Sequence, residues 1–232
     1  MYICVKQKLL SSNNKLVSLH KTNSMKDYKA LSKITFDEQA DYYDADNTAP
    51  VSKYPKICYP FVLNELKQIK FSTLLDIGCG TGMLTSLISK EMPKSTLTGV
   101  DLSDKMIAQA MKKNLPNATF AVGDAENLDY ADESFDAIIC ILSIHHHPNY
   151  HKTLAGMMRM LKPNGTVIIC EMTPPYFMRF MYNKVFLKYL NTGDVHIFSK
   201  KELAQDLTNA GFKNVEVRSI HRYLCLAKAV KC

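Results

Sequence analysis

Three glycines at alternate positions follow an acid in the stretch Leu74-Leu75-Asp76-Ile77-Gly78-Cys79-Gly80-Thr81-Gly82. Glycine lets backbone amides come close to a ligand where a Cβ would block the approach, and it adopts positive φ at no steric cost. Leu74, Leu75 and Ile77 read as a buried strand, while Met83, Leu84, Leu87 and Ile88 recur at helical spacing. Strand, glycine turn and helix in that order aim a helix N-terminus at a ligand. Two further carboxylates fall at matching places. Asp101 ends the second apolar stretch, Leu97 to Val100, about 20 residues beyond the glycine turn, where an acid can accept both hydroxyls of a ribose. Asp124 follows a third stretch, Thr119 to Val122. Read alone, Asp101 has the lesser alternative of an acid at the start of a helix, and Asp124 the alternative of a turn aspartate. Three acids, each at the end of a strand, point to a shared ligand.

Positioning those acids requires strands that alternate with helices, which implies a parallel sheet covered on both faces. Ser134 to Leu142 is the fourth strand, an apolar run as expected for burial on both sides. Thr166 to Cys170 is the fifth. Ser103 is placed to cap the helix that carries Met106, Ile107, Ala110 and Met111. Ser199-Lys200-Lys201-Glu202 is a capping box that starts a helix, and Gly211 stops it. Val215 to Val217 and Tyr223 to Leu226 then read as two consecutive closing strands, which implies an antiparallel member. In such sheets ligands bind beyond the carboxyl ends of the strands, the edge that would hold Asp76, Asp101, Asp124 and Ser143.

The Asp-x-Gly-x-Gly-x-Gly spacing differs from the dinucleotide fingerprint, whose last glycine lies three residues on. It resembles motif I of the class I S-adenosylmethionine-dependent methyltransferases. The resemblance covers about residues 36–228 and implies a Rossmann-like, doubly wound, seven-stranded, mostly parallel α/β sheet with one antiparallel strand, and S-adenosylmethionine as cofactor. In that family the loop, here Gly78, Cys79, Gly80 and Gly82, and the acid, here Asp76, hold the methionine end. Asp101 takes the ribose, Leu102 covers an adenine face, Asp124 meets the adenine amino group and the backbone amide of Ala125 a ring nitrogen. Leu142 and Ser143, at the end of the fourth strand, complete the implied contacts. Phe36-Asp37-Glu38-Gln39-Ala40-Asp41-Tyr42-Tyr43-Asp44 is similar to a segment that forms a helix over the cofactor in small-molecule methyltransferases and implies a cofactor contact for Tyr43. The residues themselves fit an acidic, solvated helix with packing tyrosines equally well. Leu161-Lys162-Pro163-Asn164-Gly165 matches a family turn with Asn164 in place of a glycine; asparagine tolerates the positive φ that the turn needs.

Ser143-Ile144-His145-His146-His147-Pro148 follows the fourth strand, on the side where an acceptor sits. His145 or His146 could act as general base, since imidazole titrates near neutrality; packing histidines are the other reading. A shared metal ion is not expected. Adjacent side chains of an extended segment point opposite ways, no second ligand cluster is visible, and the family carries a related stretch here without metal. No N-P-P-Y-type signature of amide or base amino methylation stands at this strand. A small-molecule acceptor is expected, in the quinone-, sterol- and small-metabolite-methylating branch. A protein or RNA acceptor, or cofactor binding without catalysis, remains the alternative, and a nicotinamide oxidoreductase lacks the right glycine spacing.

The net charge of +7 comes almost wholly from lysine, with arginine only at positions 159, 179, 218 and 222. Arginine is the residue favoured for bidentate phosphate and base contacts, so the composition argues against a dedicated nucleic-acid partner. Seven cysteines lie far apart without C-x-x-C spacing, which reads as reduced thiols in a cytoplasmic compartment. No apolar run is long enough to span a bilayer. Residues 1–24 read as a flexible extension, with Met25 as a conceivable natural start, ahead of a single domain over 25–232. Within it, helices over 36–70 cover the cofactor and the core runs over 71–172. An aromatic and methionine-rich insertion over 173–198 forms either an acceptor lid or a helix packed on the sheet edge. The C-terminal helix and strand pair occupy 199–232. Thr48 to Tyr54 reads as a loop, with Pro50 and Pro55 as breakers. Arg179, Lys184 and Lys188 could meet an acidic acceptor or an anionic membrane surface, solvated charges being the simpler account.

Overall fold

A computed structural model describes residues 26–232; the expected extension over 1–24 and the start at Met25 lie outside the described residues. Seven strands form one sheet in the order β3-β2-β1-β4-β5-β7-β6. They are β1 (Thr73–Ile77), β2 (Thr96–Asp101), β3 (Ala118–Val122), β4 (Phe135–Ile141), β5 (Leu161–Met172), β6 (Lys213–His221) and β7 (Leu224–Val230). The pairs β1–β2, β2–β3, β1–β4 and β4–β5 are parallel. β7 runs antiparallel to both β5 and β6, which makes it the single reversed strand.

Alternation along the strands sends neighbouring side chains to opposite faces. Leu75, Ile77, Ile138, Cys140, Val167 and Ile169 pack on one side with α5 (Tyr150–Met160) and α7 (Lys200–Asn209). Leu74, Ile139, Ile141, Ile168 and Cys170 pack on the other with α2 (Pro50–Lys67) and α3 (Met83–Glu91). α4 (Asp104–Met111) lies along β2 and β3, and α1 (Tyr28–Gln39) packs on α4.

The expected caps are present. Ser103 Oγ accepts from the Met106 amide at 3.0 Å, and both halves of the Ser199–Glu202 capping box form. Asn164 has φ 64°, the left-handed backbone that its turn needs. Gly211, at φ 100°, follows the α7 C-cap residue Ala210, and the Phe212 amide then donates to the Leu207 carbonyl.

Two expectations for the N-terminal part are corrected. The covering helix starts at Tyr28 rather than near residue 36 and ends at Gln39, so Tyr43 sits in the turn after it. Thr48 to Tyr54 is not a loop: α2 begins at Pro50, and Pro55 and Pro60 lie inside it. Proline at a first helical position loses no hydrogen bond, because that amide has no intrahelical partner. The two interior prolines are held by tertiary packing, Pro55 being buried. The 173–198 segment contains α6 (Tyr176–Met181), a π-helical turn (Tyr182–Phe186) and a last α turn (Leu187–Tyr189). Among the described residues no helix is long and apolar enough to cross a membrane.

Candidate active site

A cleft opens at the carboxyl ends of β1, β2, β3 and β4. Its walls include Asp76, Gly78, Cys79, Gly80, Asp101, Leu102, Asp124, Ala125, Leu142 and Ser143, with Tyr43, Phe36 and Lys29 on the side of α1. Gly82 does not line it. Gly82 caps α3 at φ 71°, and a Cβ there would lie 2.9 Å from the Phe120 ring; its place in the motif serves the turn and the packing of Phe120.

Gly78 and Gly80 have φ 72° and 55°. A Cβ on Gly80 would enter open space, so this residue leaves bare backbone beside the cleft. Asp101 organises the loop opposite: its carboxylate accepts from the Gly80 and Ser103 amides, both at 2.9 Å. Burial pushes its pKa up while those amides pull it down, and burial wins. Asp76 is only 2% exposed. Its pKa rises to about 7 because it is desolvated, against one donated hydrogen bond from Thr85 Oγ1 at 2.7 Å. Both carboxylates are held without a lysine or arginine partner among the described residues, an arrangement suited to a cationic or polyhydroxylated ligand.

Asp124 differs. Its Oδ2 accepts from Lys29 Nζ at 2.8 Å and Asn127 Nδ2 at 2.6 Å, and its Oδ1 from the Glu126 amide at 3.0 Å. Lys29 also meets Glu126 at 2.6 Å, which ties α1 to the β3 end of the cleft. Sequence reasoning missed Lys29, because nothing local marks a lone lysine ahead of the aromatic motif. Tyr43 lines the cleft with its hydroxyl donated to the Val51 carbonyl at 2.8 Å.

The histidines separate by role. Ile144–His146 is a 3₁₀ turn, not the extended segment from which the argument against a shared metal ion started, and the His145 and His146 rings lie 4.1 Å apart. His145 does not line the cleft; its Nδ1 sits 2.8 Å from Glu171 Oε2 in the interior. His146 and His147 line it. His146 Nδ1 is buried without a hydrogen bond, 3.1 Å from Asp194 Oδ1. His147, not singled out from the sequence, has Nε2 3.2 Å from Ser143 Oγ and Nδ1 3.1 Å from Thr153 Oγ1. Burial, then the neighbouring His145, lowers its pKa to about 4, so the ring is neutral. Leu142, next to Ser143, holds φ 49°, an uncommon backbone for a branched side chain.

Known proteins resemble the chain in sequence and in fold. A model of the methyltransferase domain matches residues 74–165. A demethylmenaquinone methyltransferase of Thermotoga maritima is 32% identical over 157 residues, covering 68% of each chain. One from Staphylococcus aureus is 31% identical over 199 residues, covering 76% of this chain and 83% of its own. The chain belongs to the class I S-adenosylmethionine-dependent methyltransferases. Solved structures of lower identity share the fold. An Aquifex aeolicus S-adenosylmethionine-dependent methyltransferase superposes with a TM-score of 0.65 at 20% identity over 84% of this chain and 98% of that one. A Haemonchus contortus phosphoethanolamine N-methyltransferase with bound S-adenosylhomocysteine reaches 0.72 at 18% identity, over 89% and 61%. As a methyltransferase the chain takes S-adenosylmethionine as its methyl donor, and the two desolvated carboxylates and the bare Gly80 backbone fit a ligand with an ammonium, a sulfonium and a ribose diol.

Proposed function

We propose that this methyltransferase acts on a small, ring-hydroxylated acceptor of the quinol class, with the cofactor held along the β1–β2–β3 rim. Gly78, Cys79, Gly80 and Asp76 hold the methionine end, Asp101 the ribose hydroxyls, and Leu102, Asp124 and Ala125 the adenine. Tyr43, Leu142 and Ser143 flank it. Gly82 acts through the turn. The bound cofactor supplies an electrophilic methyl group on a sulfonium, an excellent leaving group, so the chain has mainly to align the acceptor and exclude water. Orientation of this kind is worth about 7–11 kcal/mol of barrier.

The observation that carries the acceptor class is the pair of Ser143 Oγ and His147 Nε2, 3.2 Å apart on the cleft wall at the end of β4. A neutral imidazole backed by Thr153 can receive, through the serine hydroxyl, the proton of an acceptor hydroxyl. An amine acceptor needs no such help once its lone pair is free; a phenolic ring does, because its carbon or oxygen becomes nucleophilic as the proton leaves. His146 contributes its ring face, set edge-on to Phe36 with centroids 5.1 Å apart, and His145 supports that ring from behind. The names of the relatives agree with a quinol acceptor. The exposed aromatics of α6, Tyr176 and Phe177 at 71% and 73%, would form a lid for it.

The test is methyl transfer from labelled S-adenosylmethionine to a panel of reduced naphthoquinols and benzoquinols, small amines, bulk RNA and a protein mixture. Label on the quinols is expected, with His147→Ala lowering kcat about 10²–10⁴-fold at unchanged affinity for S-adenosylhomocysteine. Label confined to amines, RNA or protein would overturn the acceptor class. Cofactor binding with no transfer to any acceptor would overturn the catalytic role.

A further inference from the structure

We propose that His145, His146 and Asp194 form a three-ligand site for a divalent transition-metal ion, zinc by preference, behind the cleft wall at His146. The proposal stands on geometry and does not depend on which acceptor is methylated.

One ligand atom from each residue lies within 4.8 Å of those of the other two. Asp194 Oδ1 lies 3.1 Å from His146 Nδ1 and 3.7 Å from His145 Nε2. Tetrahedral zinc with nitrogen and oxygen ligands at about 2.0–2.1 Å separates neighbouring ligand atoms by roughly 3.3–3.4 Å, between those two distances. The 3₁₀ turn presents the two rings side by side. The third ligand arrives from the loop after α6, which no local sequence signal connects to the histidines. That loop is fixed in place. The Val195 amide donates to the His145 carbonyl at 2.9 Å, and Gly193, at φ 83°, lies so close to α1 that a Cβ would fall 2.5 Å from the Ser32 nitrogen.

Each proposed ligand is held by a second group. His145 Nδ1 is bonded to Glu171, a fully buried carboxylate, which turns Nε2 towards Asp194. A carboxylate behind a ligating histidine is the usual support of such a ligand. Asp194 Oδ2 accepts from Thr192 Oγ1 at 2.7 Å, leaving Oδ1 for the site. His146 gives the independent observation. Its Nδ1 is buried with no hydrogen-bond partner, although Asp194 Oδ1 lies only 3.1 Å away. An ion bound by both atoms would give that nitrogen the partner it lacks. Two imidazoles and a carboxylate suit zinc, and three protein ligands leave its fourth position for water or an acceptor oxygen.

The experiment titrates the full chain, stripped with a chelator and kept reduced, with Zn²⁺ in competition with a chromophoric chelator, and with Co²⁺ read by the visible bands of four-coordinate cobalt. One equivalent is expected, with a higher melting temperature on zinc addition. Asp194→Asn and His146→Gln should each weaken zinc binding at least tenfold, and Glu171→Gln about 10–100-fold. His196→Gln, which alters the separate His196–Glu202 pair, should bind as the unaltered chain does. Melting temperatures without metal show which variants are folded, and any one folded ligand variant decides the matter. Less than half an equivalent of zinc would overturn the site. So would a folded Asp194→Asn or His146→Gln variant that binds as tightly as the original, or binding lost on alkylation of the thiols.

Discussion

Gly78 stands against Ser143 with no room for a side chain: a Cβ on Gly78 would lie 2.0 Å from Ser143 Oγ and 2.5 Å from Ser143 Cβ. The first glycine of the motif thus serves two needs. It accepts a left-handed backbone, and it lets the end of β4 close against the end of β1 so that both can face one ligand. Gly78→Ala is expected to cost about 1–3 kcal/mol of stability through overpacking and to weaken S-adenosylhomocysteine binding at least tenfold, measured by calorimetry and thermal melting. Adding Ser143→Gly removes both colliding atoms and should restore part of the stability. A double variant no more stable than Gly78→Ala would show that backbone strain, not the collision, dominates.

Asp101 and Asp124 should differ in weight. Asp101 ties the glycine loop to the start of α4 through two backbone amides, whereas Asp124 is already engaged by Lys29 and Asn127. Asp101→Ala is therefore expected to lower cofactor affinity tenfold or more, and Asp124→Ala by less. Equal affinity of both variants and the original chain in a calorimetric titration would refute the proposed placement of the cofactor.

Asp76 gives a pH dependence. Its pKa in the folded chain is raised to about 7 by burial, above the value of about 4 expected in the unfolded chain. The folded state therefore binds the extra proton, and the stability linked to this group is fully present below pH 4 and is lost as pH rises through 7. A cationic cofactor end favours the ionised carboxylate. S-adenosylmethionine binding should thus tighten between about pH 5 and pH 7.5 and release protons, a release visible as a buffer-dependent heat. Asp76→Asn should abolish both the slope and the release.

The site was legible in the sequence wherever its signal was local. Asp76, Asp101 and Asp124 each close a strand, and the parallel order of β1, β2 and β3 carries strand ends to one edge; a reader of the chain needs only the alternation of strand and helix to bring them together. Caps and turns were legible for the same reason, since Ser103, the Ser199–Glu202 box and Asn164 act on backbone within four residues. The reversed β7 followed from two strands with no helix between them.

What only the tertiary structure decided depends on contacts across the chain. Whether Pro55 breaks or joins a helix is set by the packing of α2 on the sheet. Lys29 reaches Asp124 over 95 residues, and Glu171 meets His145 over 26. The histidine run itself was plain, but its geometry was not. A 3₁₀ turn rather than an extended segment places His145 beside His146, and a loop nearly 50 residues on brings Asp194 to both. Local periodicity sets which way a side chain leaves its own element; it says nothing about which distant element arrives to meet it, and that choice is made by the burial of the sheet's two faces.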